Sequence, residues 1–340
     1  MNKEKELEQH ALKAIRNKAA VFFPFSRLPD WKGTAAEILN NFEEIVQKVR
    51  MLVDYDVDGV IFEIIDTHLK QFMGSTRHHH RWQIAYKNNE ESAKVKVLHV
   101  IPQTSRCGRV YPVAELEPTR LSGALICRAT AHHYGMVNEL GIGPGALIEL
   151  TRSGLVIPKI ERVISTADPE IPDRCPSCSM GLVWDADYLY CPNSSHCPAQ
   201  IENSIEHFFK TLGNIDGFGR KTIQKLHDNG INSVIEIFQL NVDDFLRMEF
   251  GDKTSQNLLK QLERSKIEAI EDWRFLGAFG IYRMGLGNCE RLLQYYPLTQ
   301  VFDLSIEDLV GIEGFAEKTA EAVVSCLHKI HDEFTALYKL

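Results

Sequence analysis

Apolar positions recur along this chain at spacings that change with position. Up to about residue 50 the period is helical: Ala11, Leu12, Ile15 and Ala19 share one face, and Ile38, Phe42, Ile45 and Val49 another, with the Pro-broken string FPFSRLPDW between them. From Tyr55 to Lys87 the runs become short, β-branched and aromatic, VDGVIFEII and RWQIAYK, separated by a polar stretch with Gly74 and three consecutive histidines. Such runs read as buried strands of a larger sheet. The segment KVKVLHV alternates polar and apolar residues and opens a series of short strands broken by Gly and Pro up to about Ile164, the pattern of a small β-barrel. A Pro-containing linker, TADPEIPDR, leads to a cluster of cysteines, and beyond Ala199 the chain turns to helices punctuated by Gly-x-Gly turns. The expectation is a multidomain α+β protein divided at 1–92, 93–167, 168–200 and 201–340.

Composition adds limits to this picture. At 340 residues and 44% hydrophobic content the chain can build two or three independent cores. No apolar run reaches the roughly 18 residues that a membrane span requires, and the amino terminus MNKEKELEQH is charged where a secretory leader needs an apolar stretch. A cytoplasmic location is expected. Eight cysteines without a secretory leader point to thiols or metal ligands rather than disulfides. The formal net charge of -8 excludes a uniformly basic nucleic-acid coat, so any DNA contact must come from local patches or backbone amides.

The strongest chemistry lies in the cysteine cluster. Cys175 and Cys178 form a CPSC knuckle, followed after a hairpin-compatible insert, SMGLVWDADYLY, by Cys191 and Cys197. This spacing brings two thiolate pairs within reach of one tetrahedral ion. Four sulfurs leave no position for water, so the expected Zn2+ is structural. His196, beside Cys197, is the alternative fourth ligand, and four free buried cysteines are the plain alternative.

The glycine turns come next. In IDGFGRKTIQKL, Gly217 and Gly219 precede a helix carrying Lys221, and related strings follow as MEFGDKTSQNLL (Gly251, Lys253), MGLGNCERLL (Gly285, Gly287) and GIEGFAEKTAEAV (Gly314, Lys318). They recur at roughly 30 to 35 residues, and such turns can present free amides to an anion. The series resembles helix-hairpin-helix motifs, which grip the DNA backbone without reading sequence. Helix-cap glycines in an ordinary bundle are the plain alternative. The second unit has only Gly251 and the fourth has Ala316 where a second Gly would stand, so weaker binding is expected there.

The barrel segment is locally basic. From Lys94 to Arg162 there are nine Lys or Arg against five Glu and no Asp. Arg106, Arg109, Arg128 and Arg152 fall near predicted turns, from which side chains reach a phosphate backbone, as is common in oligonucleotide-binding (OB) barrels. Solvated barrel charges are the plain alternative.

Taken in order, DYDVDGVIFEI, GSTRHHHRWQIAYK, GRVYPVAELEP, RATAHH, RSGLVIPK, the cysteine cluster with CPAQ, and the glycine hairpins resemble NAD-dependent DNA ligases from about Phe25 onward. The resemblance implies the carboxy-terminal portion of an adenylation (nucleotidyltransferase) domain, an OB-fold domain, a four-cysteine zinc finger and an all-α helix-hairpin-helix domain. It implies nick sealing in duplex DNA with NAD and Mg2+, through a lysine in a Lys-x-Asp-Gly motif that takes up AMP. That motif does not occur in these residues; its nearest relative, Asp56-Val57-Asp58-Gly59, matches a later family motif. The nicotinamide-recognition domain and a terminal BRCT-like domain are not seen either.

Within the family likeness Lys87 matches the lysine that contacts the AMP phosphate, and Asp58 and Gly59 match the strand motif lining the pocket, with Asp58 a candidate for organising magnesium or the attacking hydroxyl. A surface lysine ending a strand and a turn-capping Asp are the plain readings. One position departs from the family: Glu63 stands where the family has a lysine, and Lys70 or Arg77 would have to compensate its charge. The histidine run His78 to His80 stands where an Arg is common. The expected function is the DNA-binding subunit of a split ligase, inactive alone, whose partner subunit supplies the AMP-accepting lysine and the nicotinamide-recognition domain. The rival is a non-enzymatic ligase remnant that binds nicked or branched DNA. On the split reading the isolated chain exposes a half-domain and associates.

Overall fold

The computed structural model describes residues 33–51, 60–76, 79–86, 91–121, 123–153 and 157–340. Asp58, Gly59 and Lys87, with Arg77 and His78, lie outside the described residues. The chain divides into two units, Met1–Asn88 and Asn89–Leu340.

In the first unit α1 (Ala35–Asn40) starts at a Thr34/Glu37 capping box and is separated at Asn41 from α2 (Phe42–Met51). Ile45 and Val46 are the buried positions of α2. Strand β1 (Val60–Glu63) is followed by α3 (Thr67–Met73), which Asp66 caps, and by β2 (Gln83–Tyr86), which pairs antiparallel with β1. Phe42 packs against Phe62 and Tyr86, with ring centroids 5.5 and 4.5 Å apart, so α2 lies on this sheet. The expectation of buried strands in a larger sheet needs correction. Among the described residues the sheet is two-stranded, with Ile61 and Ile84 63% and 70% exposed. A short apolar run looks alike whether one face or two are covered, which is why periodicity overstated its burial.

The second unit begins with a barrel. Its strands are β3 (Ser92–Thr104), β4 (Arg109–Leu121), β5 (Ala124–Thr130), β6 (Leu147–Ser153) and β7 (Ile157–Ser165), with α4 (Tyr134–Leu140) between β5 and β6. The order β3-β6-β7-β5-β4 closes through a β3–β4 pairing, giving a five-stranded OB-type barrel. Inward positions such as Val97, Val110, Ala114, Ile148 and Leu150 are fully buried, the result of the alternation visible in KVKVLHV. Ile171 and Leu182 also pack on this core, tying the following linker and the insert between Cys178 and Cys191 to the barrel.

The short hairpin β8 (Val183–Asp185) and β9 (Tyr188–Tyr190) then extends the barrel sheet, because β9 pairs with β4 through Arg109–Tyr190 and Val110–Leu189.

The helical part comprises α5 (Pro198–Leu212), α6 (Arg220–Asp228), α7 (Val234–Gln239), α8 (Val242–Arg247), α9 (Asp252–Ile267), α10 (Asp272–Ala278), α11 (Leu286–Leu292), a 3-10 turn (Leu298–Asp303), α12 (Ile306–Val310) and α13 (Glu317–Tyr338). It holds two cores. One gathers Phe209, Leu226, Ile237, Phe245 and Leu258, the other Leu292, Val301, Leu309, Val323 and Leu327. Phe275 and Phe279 touch both, and α13 supplies Phe334 to the second core and Leu337 to the first. Among the described residues no helix is long and apolar enough to cross a membrane.

Glu333 of α13 lines a cavity of about 420 Å³ with Ile201, Ile205 and Phe279, and burial holds its carboxyl above the usual value of 4.5. A carboxyl raised in the folded chain contributes its full share of stability below its unfolded value and loses it as pH climbs through the folded value. Glu333→Gln is therefore expected to raise the thermal unfolding midpoint at about pH 8 and to leave it nearly unchanged below pH 4.5, read by circular dichroism. Equal shifts at both pH values would be inconsistent with a buried, titrating carboxyl.

Candidate metal centre and nucleic-acid interface

The sulfurs of Cys175, Cys178, Cys191 and Cys197 lie within 4.8 Å of one another. Cys175 Sγ is 3.8 Å from Cys197 Sγ, and Cys178 Sγ 3.6 Å from Cys191 Sγ. Tetrahedral Zn–S bonds require S···S separations of about 3.8 Å, which these two pairs match, so the donor set is compatible with a structural Zn2+. His196 is exposed and stands outside this cluster. The knuckles fold as they do because their amides serve the sulfurs: those of Ser177 and Cys178 donate to Cys175, that of Asn193 to Cys191 and that of Gln200 to Cys197. Burial raises the Cys175 thiol, but hydrogen bonds from Thr104 and the knuckle amides outweigh it and bring it to about 7. Burial pushes Cys191 up to about 12 and also raises Cys197. An apolar pocket of this kind resists four bare thiolates, whose charge a divalent cation would offset in part.

The cysteine cluster is hung on the barrel. Cys191 N donates to Gly108 O at 2.8 Å, and Thr104 Oγ1 is 3.3 Å from Cys175 Sγ. Gly108 has φ +80°, and a Cβ there would stand 2.7 Å from the Cys191 carbonyl, so both the turn and the close approach require glycine.

The glycine turns share one backbone design. Gly217 (φ +92°), Glu249 (φ +60°), Arg283 (φ +62°) and Gly314 (φ +96°) each occupy the left-handed region. Each is followed by a large apolar residue, Phe218, Phe250, Met284 or Phe315, and then by the N-cap of a helix, Gly219, Gly251, Gly285 or Ala316. The third turn therefore starts at Arg283; Gly285 is its N-cap and Gly287 lies in the first turn of α11. No side chain caps any of these four helices, whereas the linking helices α7, α8 and α12 are closed by Ser233/Glu236, Asn241/Asp244 and Ser305/Asp308 capping boxes. The first-turn amides of these helices are thus left without a capping side chain and can take an anion. Charge divides the four: α6 and α11 have no acid in the first turn, while α9 begins with Asp252 and α13 with Glu317. Lys221, Lys253 and Lys318 are exposed.

The barrel arginines differ from one another. Arg128 lies within β5, exposed, 3.7 Å from Glu115 across the strand pair. Arg152 lies within β6 and donates to Leu121 O at 3.3 Å. Both lie within two residues of the end of their strand. Arg106 donates to the Gly280 carbonyl, and Arg109 to Tyr282 Oη at 2.8 Å, so these two guanidinium groups are engaged within the chain. Sequence reasoning overlooked Tyr282, Gly280 and His207 because their partners are distant along the chain.

In the first unit, Glu63 accepts from Lys70 Nζ at 3.2 Å and Gln83 Nε2 at 2.9 Å. Gln83 and then Lys70 hold its carboxyl below the ordinary value, so it stays ionised and paired. Lys70 also stands 4.2 Å from the Trp82 ring centroid, and His80 stacks on the same side chain at 4.6 Å while its Nδ1 meets Ser75 Oγ at 2.7 Å. Lys70 is thus the base that compensates Glu63.

Because structural zinc contributes on the order of 10 kcal/mol to folding, chelation at pH 7 is expected to lower the thermal midpoint by roughly 10 °C or more. Zinc analysis should return one ion per chain, and Cys178→Ser should release it. A purified chain without zinc, whose unfolding ignores chelator, would refute the assignment.

Family models match most of the chain: an NAD-dependent DNA ligase adenylation domain over residues 2–91, an NAD-dependent DNA ligase OB-fold domain over residues 94–171, and a SAM-like helix-hairpin-helix tandem over residues 209–264. A DNA ligase of Psychromonas ingrahamii is 56% identical over 337 residues, covering 99% of this chain and 52% of that protein. A DNA ligase of Desulfotalea psychrophila is 56% identical over 342 residues, covering 99% and 50%, and one of Borrelia garinii 30% identical over 344 residues, covering 96% and 52%. The chain spans about half the length of these curated relatives. With barrel, cysteine cluster and hairpins in one order, the chain belongs to the NAD-dependent DNA ligase family.

Proposed function

We propose that this chain is the nick-binding part of an NAD-dependent DNA ligase that seals 5′-phosphate/3′-hydroxyl nicks in duplex DNA. The observation that carries the reading is the set of helices whose first-turn amides have no side-chain cap, in a molecule of net charge -8 that lacks a basic coat. A phosphate held by amides needs no such coat. The first hairpin (Gly217, Gly219, Lys221) and the third (Gly285, Gly287) are the principal grips; Gly251 with Lys253 and Gly314 with Lys318 are weaker, because Asp252 and Glu317 face the same phosphate. Arg128 and Arg152 add charge on the barrel.

Lys87 is assigned to the phosphate of the transferred AMP, Gly59 to the pocket wall, and Asp58 to the attacking hydroxyl or to Mg2+, which when bound would offset charge on the phosphoryl oxygens. No Lys-x-Asp-Gly lies in these 340 residues, so the AMP-accepting lysine and the recognition of nicotinamide must come from outside them. Both are assigned to a second polypeptide, with which sealing takes place in the cytoplasm. Glu63 is the position that favours a binding-only remnant, and its pairing with Lys70 removes the charge conflict on which that rival rests.

Mixing the chain with a polypeptide that carries Lys-x-Asp-Gly and the nicotinamide-recognition domain should give sealing with NAD, with AMP found by mass spectrometry on the other chain. Binding of nicks without sealing, across such partners, would leave the remnant reading in place. Lys221→Ala is expected to weaken binding to nicked duplex and reduce the salt slope by about 0.9, whereas Lys318→Ala should change both much less. Equal losses from the two variants would contradict the ranking of hairpins.

A further inference from the structure

The turn from Ser105 to Gly108, which joins β3 to β4, and the residues that flank it, Thr104 and Arg109, touch three bodies at once. Toward the metal centre, Gly108 O accepts from Cys191 N at 2.8 Å. Toward α5, Thr104 O accepts from Asn203 Nδ2 at 3.0 Å. Toward the connection between α10 and α11, the Arg106 guanidinium donates to Gly280 O and Arg109 donates to Tyr282 Oη at 2.8 Å.

Arg109 is held on both sides. Its guanidinium carbon stands 4.3 Å from the Tyr188 ring centroid and 5.6 Å from that of Tyr282. The Tyr282 ring in turn has Arg283 at 5.5 Å, the residue that opens the third hairpin. A ladder of alternating rings and guanidinium groups therefore runs from β9, across β4, to that hairpin. Arg106 is enclosed in a different way: Gly280 has φ +63°, and a side chain there would strike both Arg106 and His207. His207 Nε2 lies 3.2 Å from Gly277 O, and burial, with Arg106 beside it, lowers its pKa below the ordinary 6.5. It is thus neutral at physiological pH and does not repel Arg106. Neither arginine can turn to a phosphate without leaving partly desolvated partners unpaired, which costs more than a solvent-screened phosphate contact returns.

We propose that Arg106 and Arg109 are positioning residues that latch the α10–α11 connection to the barrel and the metal-bearing hairpin, and that nick binding depends on them although they touch no DNA. The inference rests on the nick-binding reading above. It reassigns two residues whose sequence surroundings suggested phosphate contact. The planar fork and the two flanking rings are what the role needs; positive charge alone is not.

The test uses the full chain and four variants: Arg109→Ala, Arg109→Lys, Tyr282→Phe and the Arg109→Ala/Tyr282→Phe double, with Arg106→Ala alongside and Arg128→Ala as an exposed-charge comparison. Without DNA, amide exchange across residues 279–285 is expected to speed up about tenfold in the Arg106, Arg109 and Tyr282 variants and not in Arg128→Ala. With a nicked duplex, each latch variant should bind about five- to tenfold more weakly, Arg109→Lys should resemble Arg109→Ala, and the double should be no weaker than Arg109→Ala alone. Near-normal binding by Arg109→Lys with a loss in Arg109→Ala, or additive losses in the double, would make Arg109 a phosphate contact and overturn the proposal; so would unchanged exchange. If the unaltered chain fails to prefer nicked over intact duplex, the functional reading falls while the exchange measurement still decides the latch.

Discussion

The backbone hydrogen bond from Cys191 N to Gly108 O, beside the β4–β9 pairing, binds the cysteine cluster to the barrel, and much of the second unit is organised around this junction. It places β9 beside β4, and with it Tyr188 beside Arg109. It forces glycine at position 108 and brings Thr104 to Cys175. The four cysteines thus do more than close their own loop: they help fix where the turn from Ser105 to Gly108 sits, and that turn is where the helical part meets the barrel.

The helical part solves a different problem with the same economy. A helix start can be closed by a side chain or left open for a ligand, and both solutions occur here within one run of helices. Linking helices carry Ser, Asn and acidic residues at the closing positions, whereas the hairpin helices carry Gly or Ala. A capping box would have stabilised the hairpin helices by about 1 kcal/mol each. That this contribution is forgone at all four turns is a local cost consistent with anion binding. Glu249 and Arg283 add to it, since a non-glycine residue in the left-handed region costs roughly 1 kcal/mol.

Legibility from sequence followed the reach of the interaction. The four cysteines were readable because metal geometry fixes their spacing, and the barrel because inward and outward positions alternate along each strand. The hairpins were readable from their glycines, but the third turn was displaced by two residues, since Arg283 fills a position for which glycine is the ordinary mark. The exposure of the β1–β2 sheet was hidden because an apolar run does not disclose how many faces are covered. Arg106 and Arg109 were the least legible: each is separated from its partner by more than 170 residues, and nothing local distinguishes a half-buried, engaged guanidinium near a turn from an exposed one. The pairing of Glu63 with Lys70 lay between these extremes, seven residues apart and anticipated as one of two solutions.

The last helix draws these pieces into one body. Because α13 places Phe334 in one core and Leu337 in the other, with Phe275 and Phe279 bridging them, the two pairs of hairpins cannot pivot about a hinge without opening both cores. The span from first grip to last is therefore a property of the folded chain, as the markings are of a ruler. On the nick-binding function proposed above, any misfit between that span and the helical repeat of a duplex would be taken up by the duplex, through bending or twisting.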